Sequence, residues 1–418
     1  DGLSCTDLNE EGIYARYDIF EPEIDQYLRA SPAQPADDAP NRALDLFGAP
    51  VTDPNGVDKP LDLRTSTLAL ARNIDYAGDL DVFRFMLAQP STVHAWSTGA
   101  LDTVGAILDS TGVNIEANDD EDVSAGHTNL NFGITRPLAA GTYYAQVAHF
   151  DPAGTGAYTL NLSATALPAN YTDLWWNAAE SGWGLNLNHQ GNILFGTLFT
   201  YDASGAAMWL VMDRGDLQAD GSFSGTLRRT TGPAFNASPW TSVAATTVGT
   251  MRLAFLNATT GTLTYTVNGV TVTKTITRQP FSTQPVCTFT TGDRSVATNY
   301  QDLWWNPSEP GWGLNVTHHG DIVFATLFTY DASGQGTWFV LSNAIKNSAG
   351  TYSGSLYATT GPAFNASPWT ATTATSVGTM TLAFTSGNAA TLTYSVNGVQ
   401  VTKSIQREAF ASPMSQCQ

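Results

Sequence analysis

The chain contains one long stretch twice, and this limits its architecture more than any other feature. Residues 170–210 read NYTDLWWNAAESGWGLNLNHQGNILFGTLFTYDASGAAMWL, and residues 299–339 read NYQDLWWNPSEPGWGLNVTHHGDIVFATLFTYDASGQGTWF. The offset of 129 positions holds without a gap to Phe281 and Phe410. A unit of about 110 residues is too long for a solenoid repeat and long enough to bury a core of its own. The sequence therefore predicts two similar domains in tandem, over residues 170–286 and 299–417.

Within each copy the hydrophobic pattern has a period of two, broken by turn residues. In the first copy it predicts strands near 173–177, 182–189, 192–201, 207–213, 222–229, 247–256, 262–267 and 270–278. The last two are joined by Asn268-Gly269, repeated as Asn397-Gly398, a strong hairpin signal. Eight antiparallel strands on short turns suit an up-and-down meander β-barrel, which removes exposed edges; a β-sandwich is the alternative. Strands three and four are apolar on both faces (Ile193 to Phe199, Met208 to Met212) and so require cover on both sides. That predicts contact between domains or subunits.

Charge and cysteine usage narrow the compartment and the partners. The formal net charge is −19, and residues 1–169 hold 25 acidic against 8 basic side chains. No basic patch is available for nucleic acid. No apolar run reaches the roughly 18–20 residues that a membrane-spanning helix needs. The three cysteines, Cys5, Cys287 and Cys417, lack metal-ligand spacing and suit an oxidising compartment. A chain that opens at Asp1 without methionine reads as a processed, exported product. Residues 1–36 form an acidic segment with one short helix expected from Pro22, and SPAQPADDAP reads as a linker.

Between residues 37 and 165 short alternating strands recur: Val82 to Phe85, Val93 to Trp96, Ala106 to Leu108, Tyr143 to Val147 and Tyr158 to Leu162. The segments DDAPNRA (37–43), IDYAGDLDVFRF (74–85), LDT (101–103), NDD (118–120), LAAGTYYAQV (138–147) and GAYTLNL (156–162) occur in an order that resembles the bacterial pre-peptidase C-terminal domain. The resemblance covers under a third of the chain. It implies a jelly-roll-like β-sandwich on a secreted bacterial protein, often beside a protease and sometimes binding calcium or an extracellular polymer. No protease domain accompanies it here, and the stretch between Asn41 and Ile74 is longer than the family usually has. Asp79, Asp81, Asp119 and Asp120 carry the hard oxygens calcium prefers, or form an acidic face satisfied by water. The fold expected for the whole chain is thus all-β: a jelly-roll-like sandwich followed by two barrels.

The duplication supplies an internal comparison. Surface charges drifted: Asp213 faces Ser342, Asp216 faces Ile345, Arg228 faces Tyr357 and Arg252 faces Thr381. Asp173/Asp302, Glu180/Glu309, His189/His318, Asp202/Asp331, Lys274/Lys403 and Arg278/Arg407 did not. Asp202 and Asp331 lie in a YDASG turn, where an Asx hydrogen bond suffices. Lys274 and Lys403 stand on the otherwise apolar face of strand eight, so each needs a carboxylate, Glu180 and Glu309 or the neighbouring Asp173 and Asp302. Either these are buried ion pairs that plug the barrels, or they anchor an acidic or hydroxylated ligand.

The longest identical run, TTGPAFNASPW at 230–240 and 359–369, falls in a predicted loop. Loops ordinarily diverge first. Phe235, Trp240, Phe364 and Trp369 therefore either cap a barrel end or form a binding surface. Ten of the eleven tryptophans lie in the repeats. In the pairs Trp175-Trp176 and Trp304-Trp305 successive side chains point to opposite faces, so Trp176 and Trp305 are expected to leave the barrel interior.

Motifs for catalysis are missing: no G-x-S-x-G, no H-E-x-x-H and no phosphate-binding glycine loop. The repeats resemble a Trp-rich module of secreted bacterial proteins that has no firm family name. The sequence reads as a non-catalytic, secreted or cell-surface structural or adhesive protein, requiring no cofactor beyond possible calcium. Its expected partner is another copy of itself, joined head to tail through residues 1–36. A carbohydrate- or polymer-binding module pair is the alternative, and an enzyme comes third. If each barrel keeps its own tail, Cys287 and Cys417 lie about one domain apart, roughly 25–35 Å, and do not pair with each other.

Overall fold

The computed structural model describes residues 61–62, 68–120 and 130–418. All regular structure among them is strand, and the chain divides into two compact units at Leu167/Pro168. The expected N-terminal helix, Cys5 and the segment 1–36 lie outside the described residues.

In the first unit the strands are β1 (Leu61–Asp62), β2 (Leu68–Ile74), β3 (Leu80–Leu87), β4 (Ser91–Thr98), β5 (Thr103–Leu108), β6 (Asn114–Asn118), β7 (Gly133–Leu138), β8 (Gly141–His149) and β9 (Gly156–Ala166). They form a five-stranded sheet in the order β1-β3-β8-β5-β6 and a four-stranded sheet in the order β2-β9-β4-β7. Period-two alternation sends Phe83, Phe85, Val93, Ala95, Ile134, Val147, Leu160 and Leu162 into one core.

The second unit holds both repeats. The first is a closed barrel of β10 (Asp173–Trp176), β11 (Gly184–Gln190), β12 (Ile193–Tyr201), β13 (Ala207–Leu217), β14 (Phe223–Thr231), β15 (Ala244–Phe255), β16 (Thr260–Val267) and β17 (Val270–Arg278). A short strand, β18 (Cys287–Thr290), follows it. The second barrel closes through β19 (Asp302–Trp305), β20 (Gly313–His319), β21 (Ile322–Tyr330), β22 (Gly336–Lys346), β23 (Tyr352–Thr360), β24 (Thr373–Ser386), β25 (Ala389–Val396) and β26 (Val399–Arg407). The chain ends in β27 (Met414–Cys417). Each strand pairs with its neighbours in sequence, and β10 meets β17 to close the first ring. Asn268 and Asn397 have φ of 48° and 49°, and the following glycines 86° and 84°. Two successive positive φ values are what a type I′ hairpin requires, and only Asn-Gly-like pairs adopt them readily.

The doubly apolar strands are explained by the neighbouring barrel. Leu198, Leu210 and Met212 point into the first barrel, while Phe199, Tyr201, Trp209 and Val211 point out. The outward set packs on Leu303, Phe328, Tyr330 and Trp338 of the second barrel, forming a third core between the two. Trp209 Nε1 donates to Thr329 O at 2.9 Å and Trp338 Nε1 to Thr200 O at 3.2 Å. Nearby, Asn188 Nδ2 donates to Asn315 Oδ1 (2.8 Å) and Asn186 Nδ2 to Thr317 Oγ1 (3.3 Å). Each contact has a mate with the copies exchanged, as in an isologous two-fold interface.

One expectation is overturned. Cys287 and Cys417 are bonded to each other, with Cα atoms 3.9 Å apart. The premise that each tail stays with its own barrel fails: the C-terminal tail returns to the linker, where β27 pairs antiparallel with β18 and places Cys417 opposite Cys287. The tail is also fastened to the first barrel. Gln190 binds Glu408 O, Phe410 N and Ala411 N, and Asn170 Nδ2 donates to Ser415 Oγ at 2.8 Å.

Candidate functional site

The identical loops are exchanged between the barrels. The segment 230–240 leaves the first barrel and caps the second: Phe235 and Trp240 pack against the second core. The segment 359–369 does the reverse, with Phe364 and Trp369 against the first core. The hydrogen bonds are reciprocal as well. Trp240 Nε1 donates to Pro310 O (3.0 Å) and Trp369 Nε1 to Ser181 O (3.0 Å). Tyr394 Oη donates to Phe235 O (3.2 Å) and Tyr265 Oη to Phe364 O (2.9 Å). Phe235 N donates to Tyr330 O and Phe364 N to Tyr201 O. A loop held on both sides of a pseudo-two-fold must fit the sister barrel, which accounts for its identity amid drifted neighbours.

The fit extends to two glycines. Gly182 (φ +105°) and Gly311 (φ +103°) stand at equivalent positions, and a Cβ would meet Thr372 Oγ1 at 2.1 Å in one and Val243 Cγ2 at 2.5 Å in the other. Both the backbone conformation and the close approach demand glycine.

Beneath each cap lies the retained lysine. Lys274 Nζ bonds Glu180 Oε2; Lys403 Nζ bonds Glu309 at 2.8 and 2.6 Å. Each carboxylate also accepts an indole N–H, from Trp183 at 3.1 Å or Trp312 at 3.2 Å. Each ammonium faces two indole rings, one from its own barrel and one from the exchanged loop. The ring centroids are 5.3 and 5.1 Å from Lys274 (Trp183, Trp369), and 5.5 and 5.9 Å from Lys403 (Trp240, Trp312). This is an aromatic cage with an acid floor, of the kind that recognises ammonium groups, filled here by the chain's own lysine. Burial first, and then the Glu180 and Glu309 charges, hold the hydroxyls of Tyr265 and Tyr394 above the ordinary phenol value.

The other retained groups serve the ends of the barrels. Asp173 accepts from Arg278 (2.7 Å) and contacts His319 Nε2 (3.0 Å) across the barrel interface. Burial raises its pKa, but the His319 hydrogen bond and the Arg278 charge outweigh burial and hold it below the usual carboxylate value. Asp302 takes Arg294 (2.5 Å) and Arg407 (3.1 Å). His318 Nδ1 accepts the Tyr300 N–H at 3.0 Å, so the neutral ring donates from Nε2 to Tyr352 Oη, also 3.0 Å away. Burial lowers the pKa values of His318 and His189 to about 4. In the first copy Phe223 stands where Tyr352 stands in the second, and His189 stacks on Tyr171. Asp202 and Asp331 each bind the Ser and Ala or Gln N–H groups of their turns, as an Asx turn does.

Trp175 and Trp304 are buried in the cores, and Trp176 and Trp305 face outward, half-buried. In the sandwich, Tyr158 donates to Asp81 Oδ2 at 2.5 Å, and Asp79 accepts the Asp75 N–H at 2.8 Å. Burial raises the pKa of Asp79, and Asp119 is exposed. Among the described residues, no three His, Cys, Asp or Glu gather so as to hold a metal ion. Two clefts border the second unit's loops. One, of about 440 Å³, is lined by Thr231, Ser242, Ser333 and Gln335 with no titratable side chain. The other, of about 300 Å³, holds Arg294 and Arg407, both committed to Asp302.

Sequence reasoning did not anticipate the His319–Asp173 link, the Arg294 clamp or the Asn186/Asn188 seam. The seam had a signal: in GLNLN and GLNVT, asparagine and threonine alternate with the core residues, on a face that solvent alone would not constrain.

No protein-family model and no curated protein matches this chain. Among solved structures it is similar to the pre-peptidase C-terminal domain of collagenase from Bacillus anthracis, at 14% identity over 25% of this chain and 91% of that one, with a TM-score of 0.20. It is similar also to PliG of Aeromonas hydrophila, a periplasmic inhibitor of g-type lysozyme, at 12% identity over 25% of this chain and 95% of that one, with a TM-score of 0.20.

Proposed function

We propose that this chain is a non-catalytic structural and adhesive protein of the extracellular space or cell surface, working as an assembling subunit. One observation supports the reading above the others. Apart from the outward Trp176 and Trp305, the charged and aromatic residues that both copies keep are spent within the fold: lysine on glutamate, aspartate on arginine, exchanged tryptophan on the sister barrel. A catalytic site leaves a nucleophile, base or acid facing a space that substrate can enter; these groups face each other. Conservation of this kind serves a rigid double barrel. Its assembly partner is a second copy of the chain, engaged head to tail through residues 1–36. Electron microscopy and light scattering on the full chain test this. Ordered oligomers or filaments, lost on deletion of residues 1–36, are expected. A monomer at high concentration, unchanged by that deletion, would refute assembly.

A second reading, binding of an extracellular polymer, is favoured by a different surface.

A further inference from the structure

Strands β16 and β17 of the first barrel, and β25 and β26 of the second, carry outward faces that neither the caps nor the interface uses. In the first barrel every outward position from Thr260 to Thr266 and from Thr271 to Thr277 is threonine. They pair directly across the strands: Thr264 with Thr273 (Oγ1 to Oγ1 3.3 Å) and Thr266 with Thr271 (3.0 Å). Threonine suits any solvent-facing strand, so its presence alone proves nothing. The second barrel makes the difference. There the outward positions from Ala389 to Ser395 and from Gln400 to Gln406 have drifted, yet only among hydroxyl, amide and one alanine side chain. Thr393 and Thr402 still pair at 3.3 Å. Elsewhere the surface exchanged charges for neutral residues freely; these sixteen positions admit no charge in either copy.

Each array ends on the outward tryptophan. Trp176 lies opposite Thr277, which lies opposite Thr260, and Trp305 lies opposite Gln406. Residues directly opposite in antiparallel strands share a face, so the half-buried indole and the hydroxyl rows form one surface. Its rows are spaced about 4.8 Å across strands and about 6.7 Å along them. A hydroxyl both donates and accepts, and so matches another hydroxyl in either sense. A neutral, repeating array with an aromatic edge fits a neutral polymer that presents hydroxyls at regular intervals and apolar ring faces to the indole.

We infer that these two faces bind a neutral polysaccharide, and that the chain binds it bivalently. The barrels touch mainly through β12, β13, β21 and β22, joined at the seam by β11, β20, Leu303 of β19 and the Asp173–His319 contact, and in an eight-stranded ring β16 and β17 lie across from β12 and β13. The two arrays therefore point away from each other, at opposite ends of the double barrel. Such a module bridges two polymer strands. The inference shares the non-catalytic reading above but not its self-assembly.

The test uses the full chain on insoluble cellulose, chitin, xylan and mannan, with fold monitored by near-ultraviolet circular dichroism. Retention on at least one matrix is expected, unchanged in 1 M NaCl because no ion pair is involved. Trp176→Ala with Trp305→Ala should weaken it at least tenfold. Lysines on one face (Thr264→Lys with Thr273→Lys) should leave binding but abolish particle agglutination, and adding Thr393→Lys with Thr402→Lys should abolish both. No retention on any of the four matrices, retention lost in salt, or retention unmoved by the four lysines would overturn the inference. Light scattering without polysaccharide reads self-assembly separately, so either proposal can fail alone.

Discussion

The cage around Lys403 gives a prediction whose size follows from its geometry. The side chains of Lys403 and Glu309 are 11% and 19% exposed, so a single replacement strands a nearly buried charge. Removing one partner of a fully buried pair costs about 3–5 kcal/mol. Glu309→Leu should fall below that range, at about 2 kcal/mol, because the Trp240 and Trp312 rings still face the ammonium, a contact worth about 1 kcal/mol. Lys403→Met should cost more, about 3 kcal/mol, since only the Trp312 N–H then remains to the carboxylate. The double variant loses a hydrogen bond but no charge is stranded, so it should lie within about 1 kcal/mol of the parent. Urea titration of the four proteins yields a coupling energy of roughly 4–5 kcal/mol on this account. A coupling below about 1 kcal/mol, the value of an exposed pair, would refute it. So would Glu309→Leu proving more damaging than Lys403→Met.

The buried histidines fix a pH dependence. Their folded pKa values, about 4, lie below the ordinary histidine value of 6.5. The unfolded chain therefore binds more protons in that window, and stability is full above pH 6.5 and falls as pH drops toward 4, by up to about 3 kcal/mol per histidine. Thermal melts of the parent and His318→Gln should converge in slope if this is wrong and differ below pH 6.5 if it is right. Glu408 works in the opposite sense: burial and then the Asp302 charge raise its pKa to about 7, so its ionisation above that value destabilises the fold. Glu408→Gln, which installs the residue the first copy carries as Gln279, should stabilise by about 2 kcal/mol at pH 8 and change little at pH 5. Non-reducing peptide mapping should recover Cys287 joined to Cys417, and Cys287→Ser with Cys417→Ser should destabilise by about 2–5 kcal/mol; finding Cys5 joined to either would contradict the pairing.

Much of the fold was legible because strand periodicity and turn chemistry are local. The Asn-Gly hairpins, the eight strands of each copy and the double-faced strands β12 and β13 all follow from residues within one element. The lysines were legible as well, since a cation on the Val272–Ile276 face must find an anion, and Glu180 was within reach of the turn. What resisted was anything set between copies. For Phe235 and Trp240 the sequence left a barrel cap and a binding surface open, and nothing in their own segment says which barrel they cap. The disulfide failed for the same reason: its geometry depends on where the tail after Phe410 goes, and that path is set by Gln190 and Asn170 far away in the first barrel. The outward hydroxyl rows look like ordinary solvent-facing strand until register shows Trp176 and Thr277 side by side.

Reciprocal capping is tested most directly by removing one cap and asking which barrel suffers. Trp240→Ala deletes the Pro310 hydrogen bond, the ring facing Lys403 and a half-buried indole, together roughly 3 kcal/mol, or about a hundredfold in the opening equilibrium. Hydrogen exchange read by mass spectrometry should show that loss of protection in β19–β26 of the second barrel, with β10–β17 of the barrel that carries the substitution largely retained. Trp369→Ala should give the mirror result. Protection lost in each case from the barrel that carries the mutated loop, with the sister barrel unaffected, would contradict the account.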